Sequence, residues 1–183
     1  MFILLKSYFC PAPYFALQTR KQELLEKHIA DVERLQLRRK LTQTEKILSA
    51  TLYEHGVDDQ GFGRIRSKGD QALFGGKSTS EMKERLGVPE ARALADFLPT
   101  ITIKAKEFAG EITNFNVKKE NLHGENQIAE EHVKNNQGVR RVLMQSNIYL
   151  EELPAEEDIK KLEKQIQQKG KECAEHSEAL PSI

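Results

Sequence analysis

The sequence predicts an all-α protein: a long N-terminal helix or helix pair, a glycine-rich connector, and several shorter helices packing back on it. Three observations carry this prediction. From Tyr14 to about Glu54 there is almost no helix breaker, and Leu17, Leu24, Leu25, Val32, Leu35, Leu41, Leu48 and Leu52 recur at spacings of three, four, seven and eight. That is the period of one helix face. Gly61, Gly63, Gly69, Gly75 and Gly76 then crowd into one stretch. Beyond them, helix-start and helix-stop residues recur at short intervals.

Bulk properties narrow the class. The 183 residues leave room for one domain or a domain plus arms. With 38% hydrophobic and 31% charged residues, the core is expected to be thin and the helical body extended. The 28 basic and 28 acidic residues cancel, so any nucleic-acid contact needs a local patch. Two cysteines near opposite ends make no disulfide framework and fit a reducing cytoplasm. The longest apolar run, Met1 to Leu5, is too short to span a bilayer, and Lys6 cuts it before it could serve as a signal peptide. No membrane association is expected.

Residues 1–13, ending in Pro11 and Pro13, are expected to be an irregular lead-in. The helical region spans 14–168. Its first helix carries Glu23 and Lys27 as a favourable i,i+4 pair. Thr42 and Glu45 have capping-box spacing, which predicts a break near residue 41, and Gly56 is the expected stop. So narrow a stripe suits packing on another helix, in the chain or in a homodimer through the first helix. Residues 57–76 predict one short helix and tight turns. Ser78-Thr79-Ser80-Glu81 is a capping box opening a short helix closed at Gly87. Val88-Pro89-Glu90 predicts a restart through Leu94 and Phe97 to Pro99.

A helix over about Thr100–Thr113 would place Ile101, Ala105, Phe108 and Ile112 on one face, with a turn at Asn114-Phe115-Asn116. Residues 125–146 are predicted helical, with Ile128, Val133, Val139, Val142 and Leu143 as apolar members. Gly138 inside that helix is a weak point of about 1 kcal/mol relative to alanine. Leu153-Pro154 leads into a last helix over about 155–168, acidic at its start and basic in its body. Residues 169–183 are expected to be a disordered tail.

Candidate chemistry is sparse. Gly75-Gly76-Lys77-Ser78 ends like a phosphate-binding loop, but that loop needs glycine at the position of Gln71, and no apolar strand precedes it. Glu120-x-x-His123 is half of a di-iron motif without its second copy. Cys173-x-x-His176 is half of a zinc site. His132, among charged residues, is expected to be a surface or hydrogen-bonding histidine. No serine or cysteine has a context that implies activation. The expectation is a non-enzyme without cofactor or metal.

The basic clusters remain. Arg64, Arg66 and Lys68 lie two apart with Lys77 nearby, Arg140 and Arg141 follow Gly138, and Arg38, Arg39 and Lys40 are expected to end the first long helix. Such residues suit phosphate contacts. They equally suit an ordinary solvated face. Phe62 and Phe74 are the nearest aromatics available for stacking. Arg64, Arg66, Lys68, Lys77, Arg140 and Arg141 are taken forward as candidate nucleic-acid-binding residues.

Several strings resemble the bacterial DNA-damage-inducible protein D family. They are Tyr14 to Leu24 (YFALQTRKQEL), Gly69 to Gly76 with its Leu73-Phe74-Gly75-Gly76, and Leu94-Ala95-Asp96-Phe97. Ile128 to Val142 with His132 and Gly138-Val139-Arg140-Arg141, and then Glu152-Leu153-Pro154, complete the set. Order and approximate spacing agree over about residues 14–168. The resemblance implies a cytoplasmic, non-enzymatic protein of the DNA-damage (SOS) response that modulates RecA filaments on single-stranded DNA. Members of that family usually carry an N-terminal domain similar to viral BRO and phage antirepressor modules. Residues 1–13 do not match such a domain, so this chain resembles the C-terminal helical part. The alternative expectation is a truncated, antirepressor-like helical interaction protein without nucleic-acid binding.

Overall fold

The first helix, α1, runs without interruption from Ala12 to Glu54. It belongs to a computed structural model that describes residues 12–178, with side chains from 15 to 171. After it come α2 (Asp59–Leu73), α3 (Thr79–Arg85), α4 (Thr100–Glu120), α5 (Gly124–Gln145) and α6 (Ile159–Glu178). Short 3-10 turns lie at Leu94–Asp96 and Leu150–Glu152, and no strand occurs among the described residues. The lead-in expected over 1–13 falls mostly outside the described residues.

The described residues form two compact units divided between Glu33 and Arg34. In the first, Phe15, Leu17, Leu24, Leu25 and Ile29 are each more than half exposed. The pairs Arg20–Glu23 (3.3 Å) and Lys27–Asp31 (2.9 Å) run along the helix surface. The second unit is a bundle of α2, α4, α5, α6 and the part of α1 from Arg34 onward.

The expected break near residue 41 is absent. Thr42 Oγ1 donates to the Arg38 carbonyl at 3.1 Å, one turn back, instead of capping a new helix. The stop at Gly56 is where the sequence placed it. Gly56 has φ +85°, and the Val57 and Gly56 N–H groups donate to the carbonyls of Leu52 and Tyr53. That is a Schellman ending, in which a left-handed glycine lets the chain fold back over orphan carbonyls.

The glycine stretch is more helical than its composition suggests. α2 is fifteen residues long and carries Gly61, Gly63 and Gly69 inside it. Asp58 caps it, accepting from the Gly61 N–H at 2.7 Å. The capping box of Ser78 and Glu81 and the stop at Gly87 are both present. Residues 88–99 do not continue as a helix. They form turns and the 3-10 turn at Leu94–Asp96, because their apolar residues pack separately into the core.

α4 runs through the turn expected at Asn114–Asn116 and ends at Asn121, which takes the left-handed conformation at φ 51°. The face of Ile101, Phe108 and Ile112 is not the core face. Phe108 is 55% exposed, while Thr102, Ile103, Ala109, Thr113 and Val117 are fully buried. The last helix starts at Ile159, after Asp158 accepts from the Lys160 N–H at 2.9 Å. It continues past Lys169, where the tail was expected to begin, to Glu178.

The core has two apolar halves. One gathers Leu41, Leu73, Phe74, Met82, Leu98 and Ile103, and the other Leu48, Leu52, Ile65, Val117 and Ile128. Between them, α1, α2, α4 and α5 contribute polar groups at the same level. α1 brings Thr44 and Glu45, α2 brings Asp70, α4 brings Lys106 and Thr113, and α5 brings His132 and Asn136. Asp70 pairs with Lys106 and accepts from Thr79 at 3.1 Å. His132 is therefore not at the surface. It is 8% exposed, with Nδ1 2.9 Å from Thr113 Oγ1 and Nε2 3.3 Å from Asn136. A cavity of about 30 Å³ lies against this belt, room for about one water.

Gly69 is what lets the belt close. A Cβ there would fall 2.3 Å from the His132 ring. Gly69→Ala is expected to lower the unfolding free energy by about 1–3 kcal/mol through overpacking. Gly63, where a Cβ would meet nothing within 4 Å, is the control. Gly63→Ala should raise stability by about 0.4–1 kcal/mol in the same urea titration.

Candidate nucleic-acid interface

The basic residues singled out by the sequence lie mainly on α2 and α5. These helices run side by side in the same direction, since Arg64 meets Glu125, Gly69 meets His132 and Gly75 meets Arg140. Arg64 donates two hydrogen bonds to Glu125, at 2.7 and 2.6 Å. This forked hydrogen bonding raises the guanidinium pKa and holds the Glu125 carboxyl below the usual carboxylate range. Arg66 pairs with Glu45 of α1 at 2.9 Å. On α1, Arg38 is held by Asp96 at 2.9 Å, Arg39 by Glu163 at 2.5 Å and Lys40 by Glu107 at 2.8 Å.

Arg140 has a structural task. Its guanidinium grips both oxygens of Glu151 at 2.6 Å and donates to the Leu73 carbonyl at 2.9 Å. The two side chains are 16% and 14% exposed. A Cβ on Gly75 would stand 2.6 Å from Arg140 Nη2 and 2.9 Å from Glu151 Oε1. Gly75 is thus needed for its left-handed φ of +66° and for the room it leaves the arginine.

Lys68, Lys77 and Arg141 take no part in these pairs. Lys68 and Gln71 of α2, Gly75 and Gly76 of the turn, and Gln137 and Arg140 of α5 line one shallow groove of about 480 Å³. An adjoining hollow of about 500 Å³ shares Gln137 and Arg140 and adds Arg141 and Met144. Lys77 follows Gly76 and is near enough to Glu151 to help depress its carboxyl, after the larger effect of Arg140. Lys68, Arg141 and, one residue past Gly76, Lys77 therefore fringe one strip, whose lining includes the apolar Ala72, Val133 and Met144 beside Gln71 and Gln137. Arg66 is directed to α1 instead, and Arg64 is neutralised at the start of α5. Phe74 is fully buried and Phe62 is packed against the second core half, so neither presents a free stacking face.

The remaining motifs have local explanations. The helix start after Lys77 is filled by its own side chains. The Glu81 carboxylate accepts from the Ser78 N–H at 2.7 Å, and Ser78 Oγ accepts from the Glu81 N–H at 3.2 Å. The Ser78 hydroxyl, donating to the same carboxylate at 2.7 Å, and the Ser78 N–H lower the Glu81 pKa. His123 lies 3.2 Å from Asn121 Oδ1 and beside the His55 ring. Among the described residues, no group of three or more His, Cys, Asp or Glu is placed to hold a metal. The side chains of Cys173 and His176 lie outside the described residues. No helix among the described residues is long and apolar enough to cross a membrane.

Comparison with known proteins gives these contacts a context. Residues 29–162 match the family described as the DinD C-terminal domain. The chain belongs to this family. The DinD match reaches from within α1 to the start of α6, and so covers both core halves, the belt and the α2–α5 strip. The chain is also similar to DNA damage-inducible protein D of Escherichia coli (strain K12), 27% identical over 161 residues. That alignment covers 84% of this chain and 59% of that protein, so the chain spans about three fifths of the length of the curated relative it matches. Two of the strings that carry the DinD resemblance, Leu73–Gly76 and Gly138–Arg141, are the two sides of one contact, the seat of Arg140.

Proposed function

We propose that the chain is the helical module of a DNA-damage (SOS) response accessory protein that acts in the cytoplasm by binding, not by catalysis. In this reading it contacts single-stranded DNA and the RecA filaments formed on it. The observation that carries the damage-response reading is the DinD C-terminal domain match across residues 29–162. The DNA contact is supported by the strip of Lys68, Lys77 and Arg141, which lack the close ion pairs of Arg64, Arg66 and Arg140, Lys68 and Lys77 acting on Glu125 and Glu151 only at longer range. Positive charge along a shallow groove is what tracking a phosphate backbone requires. Self-association through the first helix belongs to the same reading, supported by Leu17, Leu24 and Leu25, each more than half exposed.

Fluorescence anisotropy with a labelled single-stranded oligonucleotide across a salt series tests the DNA contact. The triple variant Lys68→Ala, Lys77→Ala, Arg141→Ala should bind weakly, with a log–log salt slope reduced by about 2, at roughly 0.7 for each phosphate no longer neutralised. The double variant Arg64→Ala, Arg66→Ala should stay within about twofold of wild type, because those guanidiniums are already paired. Equal weakening in both variants would remove the strip from the interface. Undetectable binding by wild type at low salt would leave the helical interaction protein without nucleic-acid contact, and a pull-down on RecA filaments would then test the protein partner alone. Nucleotide hydrolysis abolished by Lys77→Ala would overturn the non-catalytic reading.

A further inference from the structure

Arg140 lines both hollows of the α2–α5 strip, the one with Lys68, Gly75 and Gly76 and the one with Arg141 and Met144. Yet its charge is spent within the fold. Glu151 closes it, and Glu151 belongs to neither helix of the strip but to the short turn Leu150–Glu152. Nη1 donates to Oε2 and Nη2 to Oε1, each at 2.6 Å.

The seat of this carboxylate has the donors of a phosphate site. A guanidinium fork that fits two carboxylate oxygens fits two phosphate oxygens in the same way. Hydrogen bonding from Arg140 holds the Glu151 carboxyl below the usual carboxylate range, and partial burial opposes it. The backbone N–H of Glu151 and the Lys77 ammonium lower it further by smaller amounts. A fork, a backbone N–H and an ammonium around one anion are what phosphate contacts use. Gly75 leaves the room, since a Cβ there would stand 2.9 Å from Glu151 Oε1. The other neutralised arginines differ. Arg64 with Glu125 and Arg66 with Glu45 line neither hollow.

We propose that Glu151 occupies a phosphate subsite of the strip and holds it closed in the free protein, an autoinhibitory contact at Arg140. The inference rests on the single-stranded DNA contact proposed above. Glu151 has the advantage over a DNA phosphate because it is an intramolecular ligand, eleven residues from Arg140. The two side chains are also largely buried, and separating such a pair is costly. Wild-type binding therefore runs through Lys68, Lys77 and Arg141. Arg140 joins them when the charge of Glu151 is removed.

The test titrates the full chain against a labelled single-stranded oligonucleotide at several salt concentrations. Glu151→Gln keeps the size of the side chain and an acceptor for Arg140 but removes the competing charge. It should bind at least about fivefold more tightly than wild type, with a log–log salt slope steeper by about 0.7, the increment for one further phosphate neutralised. Glu151→Ala, which empties the seat, should show the same increase in slope. If Glu151→Ala melts below the assay temperature, Glu151→Gln decides alone. Adding Arg140→Gln to Glu151→Gln should return the slope to the wild-type value. Glu125→Gln removes an equal charge outside the strip and should leave the slope unchanged. An unchanged slope in Glu151→Gln beside normal wild-type binding would overturn the subsite and leave the strip standing. An equal rise in slope for Glu125→Gln would also overturn it, by reducing the effect to net charge. Salt-dependent binding by Glu151→Gln with none by wild type would remove the open strip and keep the subsite. Binding by neither would remove both.

Discussion

Arg34→Ala is expected to remove about 3–5 kcal/mol of unfolding free energy, the scale seen when a buried charged partner is deleted. Arg34 is 5% exposed. Its Nε donates to the Leu98 carbonyl at 3.1 Å, Nη1 to the Glu157 carbonyl at 2.7 Å and Nη2 to the Asp96 carbonyl at 3.0 Å. One guanidinium thus fastens α1 to the irregular segment before α4 and to the segment before α6. Truncation removes the Arg34 donor from three carbonyls at once, and hydrogen bonds from a charged group are each worth about 1.5–3 kcal/mol without being additive. Arg34→Lys should recover only part of the loss, because an ammonium lacks the planar fork. Urea titration decides the matter. A loss for Arg34→Ala no larger than that for Arg20→Ala, on the exposed surface of α1, would show that the three hydrogen bonds contribute nothing net.

The second large effect is set by pH. Burial pulls the His132 pKa down from 6.5 to about 4, with the Asp70 carboxylate opposing the shift and the Lys106 ammonium adding to it. The hydrogen bonds agree with a neutral ring. Thr113 Oγ1 already donates to the Ala109 carbonyl at 2.8 Å, so it accepts from Nδ1–H, and Nε2 accepts from the Asn136 amide. A proton on Nε2 would set two donors against each other. Because the folded pKa is the lower one, the unfolded chain takes up the proton first as pH falls. Stability should therefore be level above about pH 6.5, decline between about 6.5 and 4, and then stop responding to this group. The full decline from it is about 3 kcal/mol. Between about pH 6.5 and 5 most carboxylates remain ionised, so His132 should dominate the slope there. His132→Gln should be less stable than wild type at about pH 7.5, yet lose little on acidification to about pH 5. An unchanged slope in that variant would mean that another group titrates.

What could be read in the sequence was local. Helix starts and stops made by one or two residues, such as Ser78 with Glu81, Gly56 and Gly87, are where the sequence placed them, because such caps are made by residues a few positions apart. Features decided by distant contacts were not legible. Gly61 and Gly69 suggested turns, but Gly69 sits in a helix whose close neighbour is the ring of His132, far along the chain. Thr42 and Glu45 matched a capping pattern, yet the hydroxyl bonded back within a helix that tertiary packing carried onward. Ile101, Ala105, Phe108 and Ile112 share one face of α4, but of these only Ala105 is buried. The buried side of α4 instead mixes Ile103 and Val117 with the small or polar Thr102, Ala109 and Thr113, which allow close helix approach. The candidate site divided in the same way. Clustered basic residues were visible, but Glu45 and Glu125, which neutralise Arg66 and Arg64, come from other helices, and Glu151 reaches Arg140 from beyond the end of α5. Only the folded bundle separates Lys68, Lys77 and Arg141 from the rest.

The close approaches of the belt and the turn also constrain how this sequence can drift. Gly69 is tied to the ring of His132, Asp70 to the ammonium of Lys106, and Gly75 to the guanidinium of Arg140. None of these positions can change size or charge by itself without a clash or a stranded ion, so substitutions at each pair should arise together in related chains. The apolar residues on either side are under a looser rule, since Leu, Ile, Val and Met can replace one another if volume is kept. Across relatives of this chain, positions 69 and 132, 70 and 106, and 75 and 140 should covary, while Leu41, Leu48 and Ile128 interchange with other aliphatics independently.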